Sequence, residues 1–141
     1  EQRELAKKLA SWGADVIIGT HPHVIQPVEY IENSDGRRTL VAYSLGNFIS
    51  AQNRGPRMLG GMINFDIVKN NNTGKVAIEN VVFSGVVTHY GYNASNVRIY
   101  PLADYTEELA SKHGVKSKTP DFSLQYLNNI MNEVIDKEFL K

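Results

Sequence analysis

GADVIIGTHPHVIQP, residues 13–27, is the stretch on which the reading of this chain turns. Asp15-Val16-Ile17-Ile18-Gly19 reads as a short strand, apolar on both faces, which suits a parallel or central position in a sheet. Two histidines, His21 and His23, follow it with Pro22 between them. Proline fixes its own φ at about −65° and pushes the residue before it toward extended backbone. Residues i and i+2 of an extended segment project to the same side. The spacing therefore predicts two imidazoles aimed at one site at the carboxyl end of the strand, where sites in open α/β sheets commonly lie. By itself, H-x-H is equally readable as a tight turn after a buried strand.

Upstream, Leu5, Leu9 and Trp12 fall at i, i+4 and i+7 with charges between them, so residues 1–12 read as an amphipathic helix. Gly13 stands where a C′ glycine would end it. The chain opens with EQRELAKK, already inside this helix, and is expected to be a piece of a longer protein. Downstream, Ile25 to Glu32 and Arg38 to Leu45 are β-like and are joined by Asn33-Ser34-Asp35-Gly36, a hairpin signal.

A glycine-rich break from Gln52 to Gly61 precedes a strand in which Ile63, Phe65 and Ile67 alternate with Asn64 and Asp66. Asn70 to Gly74 turns it back into Lys75 to Phe83. There Val76 and Ile78 keep one phase and Val81 and Phe83 the other, which predicts a bulge near Asn80. Asn96 to Leu102 reads as a further strand. Asp104 and Glu107 resemble a capping box for a short helix reaching Gly114. After a polar linker, Lys116 to Pro120, an apolar stripe of Leu124, Leu127, Met131, Val134 and Ile135 marks the last helix. The expected fold class is α+β, a mostly antiparallel sheet with flanking helices. Residues 1–115 form the main part, and residues 116–141 the linker and C-terminal amphipathic helix.

The totals set limits. At 141 residues with 42% apolar side chains, the chain has the makings of one buried core. Fifteen basic and fifteen acidic residues cancel. No charge block draws the chain to nucleic acid, so no nucleic-acid partner is expected. With no cysteine, a metal site must use His, carboxylate, amide or water. No apolar run is long enough for a membrane span, and no signal peptide is visible.

Tyr43-Ser44-Leu45-Gly46-Asn47-Phe48 is the second informative stretch. Its glycine permits close backbone approach, and Ser44 and Asn47 can orient a histidine ring or a phosphoryl oxygen. An ordinary strand end with an Asx-type turn has the same composition.

Together, GADVIIGTHPHVIQPVEYI and YSLGNFI resemble the CapA (PGA_cap) family of poly-γ-glutamate capsule biosynthesis proteins, whose domains resemble calcineurin-like metallophosphoesterases. GTHPHV is similar to the late G-H-x-H element, and AYSLGNFI to the strand and turn after it. The resemblance implies the C-terminal half of a metallophosphoesterase-like α/β sandwich. It implies that His21 and His23 each contact one ion of a dinuclear divalent-metal centre, with Ser44 and Asn47 behind them. Two such ions activate a water and clamp a phosphoryl oxygen.

The family's remaining ligands lie earlier, in an Asp-bearing strand, an acidic motif and an Asn-Asn-His element. No D-x-H, N-N-H or G-N-H-[DE] occurs in this chain. A catalytic metal needs about three protein ligands. The expected partner is therefore the missing N-terminal half of a parent domain, a metal-dependent phosphoesterase-like hydrolase. This chain alone is expected to hold no catalytic residue and to be inactive, with metal binding by the fragment left open.

The substrate class implied is a capsule polymer or a phosphorylated compound, at the bacterial cell envelope or extracellular face. A non-catalytic binding or assembly module of a capsule synthesis complex is the alternative. An uncovered sheet face or the first helix gives a route to a homodimer. Of the other candidates, His89 reads as a strand-face histidine and His113 as complementing a helix C-terminus. Glu29 and Glu32 read as solvated hairpin carboxylates, and the tyrosines at 90, 92, 100 and 105 as sheet packing.

Overall fold

A computed structural model describes residues 1–140. The elements run α1 (Gln2–Ser11), β1 (Val16–Ile18), β2 (Val28–Glu32), β3 (Arg38–Ala42), β4 (Leu59–Lys69), β5 (Val76–His89), β6 (Arg98–Pro101), α2 (Glu107–Ser111) and α3 (Leu124–Val134). The class is α+β, as the residue pattern predicts. The strands divide into two three-stranded sheets rather than one meander, ordered β1-β3-β2 and β4-β5-β6.

In the first sheet β3 is central. It pairs antiparallel with β2, Val28 opposite Ala42 through Glu32 opposite Arg38, across the Asn33–Gly36 turn. On its other side it pairs parallel with β1, Val16 opposite Leu40 through Ile18 opposite Ala42. A strand flanked on both sides and covered on both faces must be apolar throughout, and Thr39 to Ala42 are all buried. Thr39 is accommodated because its hydroxyl donates to the Ala14 carbonyl at 2.6 Å and accepts from Asn33 Nδ2 at 3.0 Å.

The pleat sends alternate β3 side chains to different partners. Leu40 and Ala42 join the main core with Met58, Leu59, Phe83 and Val87. Val41 and Tyr43 face the other way, against Ala6 of α1. The face of α1 turned to the sheet carries Ala6 and Ala10, whose small side chains allow close approach. This corrects the expected stripe: Leu5 is 55% and Trp12 76% exposed. Helical periodicity marks an apolar face without saying whether anything covers it. Gly13 ends the helix with φ +107°, as its position predicts.

The second sheet is antiparallel. β4 and β5 are in register from Leu59–Val87 to Asn64–Val82, then slip so that Asp66 faces Glu79. Asn80 and Val81 thus oppose Phe65, and Asn80 takes φ +52° with its amide donating to Asp66 Oδ2 at 2.6 Å. This is the expected bulge. β5 runs on to His89, well beyond the Phe83 limit read from the pattern.

The second helix starts later than the capping pattern suggests. Its N-cap is Thr106, whose hydroxyl accepts from the Leu109 N–H at 3.2 Å, and Glu107 instead accepts from the Leu124 N–H at 2.9 Å. The helix ends at Ser111, and a short 3₁₀ turn, Gly114–Ser117, follows. α3 is capped by Ser123 and contributes Leu127 and Met131, with Ile135 and Phe139 beyond it, to the same core as β3 and β5.

Candidate metal-ligand site

Because β1 and β3 are parallel, the loops that leave their carboxyl ends emerge on one edge of the sheet. GTHPH leaves β1 and YSLGNF leaves β3, and they are held together by backbone before any functional side chain is involved. The Gly19 N–H donates to the Ala42 carbonyl at 2.7 Å. A Cβ on Gly19 would overlap the Tyr43 carbonyl, so glycine is required for this approach. A further bridge pairs Ile25 with Leu45.

The histidine loop is not extended. His21 has φ +107° and His23 φ +63°. The chain thus reverses within five residues of the strand end instead of projecting both rings from one straight segment. Non-glycine residues on this side of the φ/ψ map carry backbone strain, which clusters at functional sites. The turn still brings the imidazoles together, with ring centroids 6.4 Å apart and planes 40° from parallel. Both rings are exposed.

Asn47 lies directly behind His23. Its Oδ1 is 2.8 Å from His23 Nδ1, while its Nδ2 donates to the Arg57 carbonyl at 3.1 Å and, more weakly, to the His23 carbonyl at 3.4 Å. The side chain is buried, and all three of its polar contacts are internal. Ser44 has a different task from the one its spacing suggests. It is buried, and its hydroxyl accepts from the Gly46 N–H at 3.1 Å, shaping the turn rather than touching either histidine.

Gly46 takes φ +67°, and a Cβ there would stand 2.9 Å from the Leu59 carbonyl. Gly60 lies under the loop, where a Cβ would overlap the Asn47 carbonyl oxygen. The Gly61 N–H donates to the Leu45 carbonyl at 2.7 Å. The start of β4 thus forms the floor beneath Asn47. Arg57 and Gly60 carry no residue-type signal for these roles, because a backbone carbonyl acceptor and a missing Cβ leave none. Only the glycine-rich break pointed to this region.

Near the site, Glu29 accepts from the buried Tyr43 hydroxyl at 2.7 Å and pairs with Arg3 at 3.2 Å. Burial, then the hydrogen bond to Glu29, pushes the Tyr43 phenol up to about 12. This unit fastens α1 to the sheet and is not free for acid or base chemistry. Glu32 is exposed near Arg38.

The other two histidines are held elsewhere, against α2 and the turn after it. His113 is 2% exposed. Its Nε2 donates to the Thr88 carbonyl at 2.9 Å, and its Nδ1 accepts from the Val115 N–H at 3.0 Å. Burial, the largest cause, pushes this imidazole down to about 4. It is therefore a neutral core group, which corrects the expectation of a charged helix-end partner. His89 packs edge-on to His113 with centroids 4.8 Å apart and shares a 2.7 Å hydrogen bond with Tyr105. Tyr90 and Tyr105 are buried, as sheet packing predicts, but Tyr92 is exposed.

Two imidazoles on one loop, one of them buttressed by a carboxamide, fit the ligand chemistry of half a metal site. No group of three or more His, Asp or Glu side chains able to hold a metal is present among the described residues. His21 and His23 by themselves do not make up such a group.

Residues 1–52 match the family described as bacterial capsule synthesis protein PGA_cap. Over this segment the chain is similar to that family. The match takes in α1, the first sheet, both loops and all four site residues, His21, His23, Ser44 and Asn47, and stops before the second sheet begins. Two curated relatives agree. The PGA biosynthesis protein CapA of Bacillus subtilis (strain 168) is 35% identical over 77 residues, which are 55% of this chain and 19% of that protein. The capsule biosynthesis protein CapA of Bacillus anthracis is 41% identical over 51 residues, 36% of this chain and 11% of that protein. The chain spans less than a fifth of either relative's length. No solved structure matches it. No described helix is long and apolar enough to cross a membrane.

Proposed function

We propose that the chain supplies the paired-histidine ligands of a dinuclear, phosphoesterase-like metal centre within a longer bacterial capsule synthesis protein. The observation that carries this reading is the meeting of the two PGA_cap loops at the carboxyl edge of β1 and β3, with His23 Nδ1 2.8 Å from Asn47 Oδ1. The reaction class is metal-assisted hydrolysis or transfer at a phosphoryl or γ-glutamyl linkage, and the setting is the cell envelope. When bound, two divalent ions would supply an activated water and a clamp on the reacting oxygen. The chain's own contribution is placement: His21 and His23 offer ring nitrogens, Asn47 holds one ring, and the β4 glycines hold Asn47.

The remaining ligands belong to the partner half of the domain, and the first sheet offers a surface for it. β1 pairs on one side only, its sequence is apolar, and Leu5, Trp12 and Ile18 are exposed around it. A groove of about 210 Å³ between α1 and the sheet, lined by Leu5, Leu9 and Ile17, opens next to Thr20 at the start of the histidine loop. Apolar surface of this kind marks an interface.

The test is the divalent-metal content and phosphoesterase activity of the full-length protein, measured again after His21→Ala and His23→Ala. Loss of metal and activity in both variants is expected. Unchanged metal and activity would reject the reading and favour a non-catalytic assembly module.

A further inference from the structure

We infer that Asn47 is a positioning residue that fixes the tautomer of His23, so that Nε2 is the nitrogen this ring presents to a divalent cation. The inference rests on the metal-site reading for the nature of the ligand, but its structural half stands on hydrogen-bond chemistry alone. A carboxamide has two unlike ends, an NH₂ that only donates and an oxygen that only accepts. In Asn47 the NH₂ end lies 3.1 Å from the Arg57 carbonyl and 3.4 Å from the His23 carbonyl. Both of those oxygens can only accept. Flipping the amide would set three carbonyl oxygens against one another, so the surroundings decide the orientation.

Oδ1 therefore faces His23 Nδ1 at 2.8 Å. Since Oδ1 has no proton to give, the proton of this hydrogen bond is on Nδ1. A neutral imidazole carries one N–H, which leaves Nε2 with its lone pair on an exposed ring. The arrangement is that of metal-ligating histidines, whose second nitrogen is tied to an acceptor that fixes the ring and raises its basicity.

His21 differs: its ring has no hydrogen-bond partner among the described residues. The two ligands are thus unequal, one set in advance by the fold and one set by the cation. The rigidity of the first depends on the floor under Asn47, where Gly60 leaves room for the Asn47 carbonyl.

The experiment is long-range ¹H–¹⁵N correlation spectroscopy of these histidine rings in the uniformly ¹⁵N-labelled full-length protein at pH 8, with and without zinc, for the native sequence, Asn47→Asp and Asn47→Leu. Without zinc, His23 is expected to show a protonated Nδ1 and an unprotonated Nε2. Asn47→Asp keeps an acceptor toward Nδ1 and should keep that pattern, at a cost in stability because its second oxygen meets the Arg57 and His23 carbonyls, whereas Asn47→Leu should release it to a tautomer mixture. Asn47→Leu should also weaken zinc binding by roughly 10–100-fold. A native His23 protonated at Nε2, or a pattern unmoved by Asn47→Leu in a folded variant, would overturn the inference. Zinc shifting His23 Nδ1 instead of Nε2 would overturn it as well. If the tautomer is as stated and zinc moves neither ring, the role of Asn47 is upheld and the metal-site reading is what fails.

Discussion

The four histidines form two pairs, and the pairs have opposite fates. His89 and His113 lie edge to face with centroids 4.8 Å apart, and both nitrogens of His113 are consumed by backbone groups. His21 and His23 have centroids 6.4 Å apart, are exposed, and share one side-chain hydrogen bond, from His23 to Asn47. An imidazole with both nitrogens bonded to its own protein and its charged form suppressed by burial is a packing residue. An imidazole with one nitrogen held and the other open is equipped to meet an electrophile. Availability of the lone pair, not closeness of two rings, separates a core histidine from a candidate ligand.

The largest effect that sharpens this comparison is expected at His113. Replacing it with Ala removes a buried ring and leaves the Thr88 carbonyl and the Val115 N–H unpaired, at a cost of about 3–4 kcal/mol in stability. Denaturant unfolding of His113→Ala and His21→Ala checks this. His21→Ala should lie within about 0.5 kcal/mol of the native chain, as for surface substitutions generally. Equal losses would break the distinction.

Acid should act on the same buried pair. The His113 pKa is about 4 in the folded chain, below the roughly 6.5 of an unfolded histidine. The unfolded state therefore takes up a proton first as pH falls. His113's contribution is complete above about pH 6.5 and is lost progressively as pH drops toward about 4, by at most about 3 kcal/mol. Burial lowers the pKa of His89 too, with Arg98 adding to the effect, so its contribution has the same sign. Thermal melts across this window should show the decline, and it should disappear in large part in a folded His113→Gln variant.

A smaller loss is expected under the exposed pair. Gly60→Ala places a methyl group against the Asn47 carbonyl and should cost about 2 kcal/mol. The same change should release the His23 ring, visible as a shift of its resonances while those of His113 stay in place. The smallest effect is expected at His21, where φ is +107°. His21→Gly relieves backbone strain and should leave stability unchanged or raise it by up to about 1 kcal/mol. A clear loss would mean that the ring itself packs.

Much of this was legible in the residues, and the failures have physical reasons. The apolar VIIG strand, the Asn33–Gly36 hairpin and the phase slip at Asn80 are local patterns, and each forms where it is expected. Asn47 is legible as a ring-orienting residue only through the resemblance of YSLGNFI to the capsule family, since an ordinary Asx-type turn has the same composition. Three features were hidden. Extended backbone at His21 and His23 followed from the proline rule, yet the loop reverses with positive φ at both, a choice made by tertiary packing around Gly19. The Leu5–Leu9–Trp12 stripe was visible, but which face of α1 meets the sheet was settled by the close approach of Ala6 and Ala10. His113 reads as a charged helix end because its partners, the distant Thr88 carbonyl that it donates to and the Val115 N–H that it accepts from, are engaged only in the fold.

The most direct measurement is a zinc titration of the labelled full-length protein with the four histidine rings of this segment followed at once by nitrogen shifts. The account predicts that His21 and His23 respond together, His23 through Nε2, while His89 and His113 stay unmoved. A response at His89 or His113, or none at His21 and His23, would contradict it.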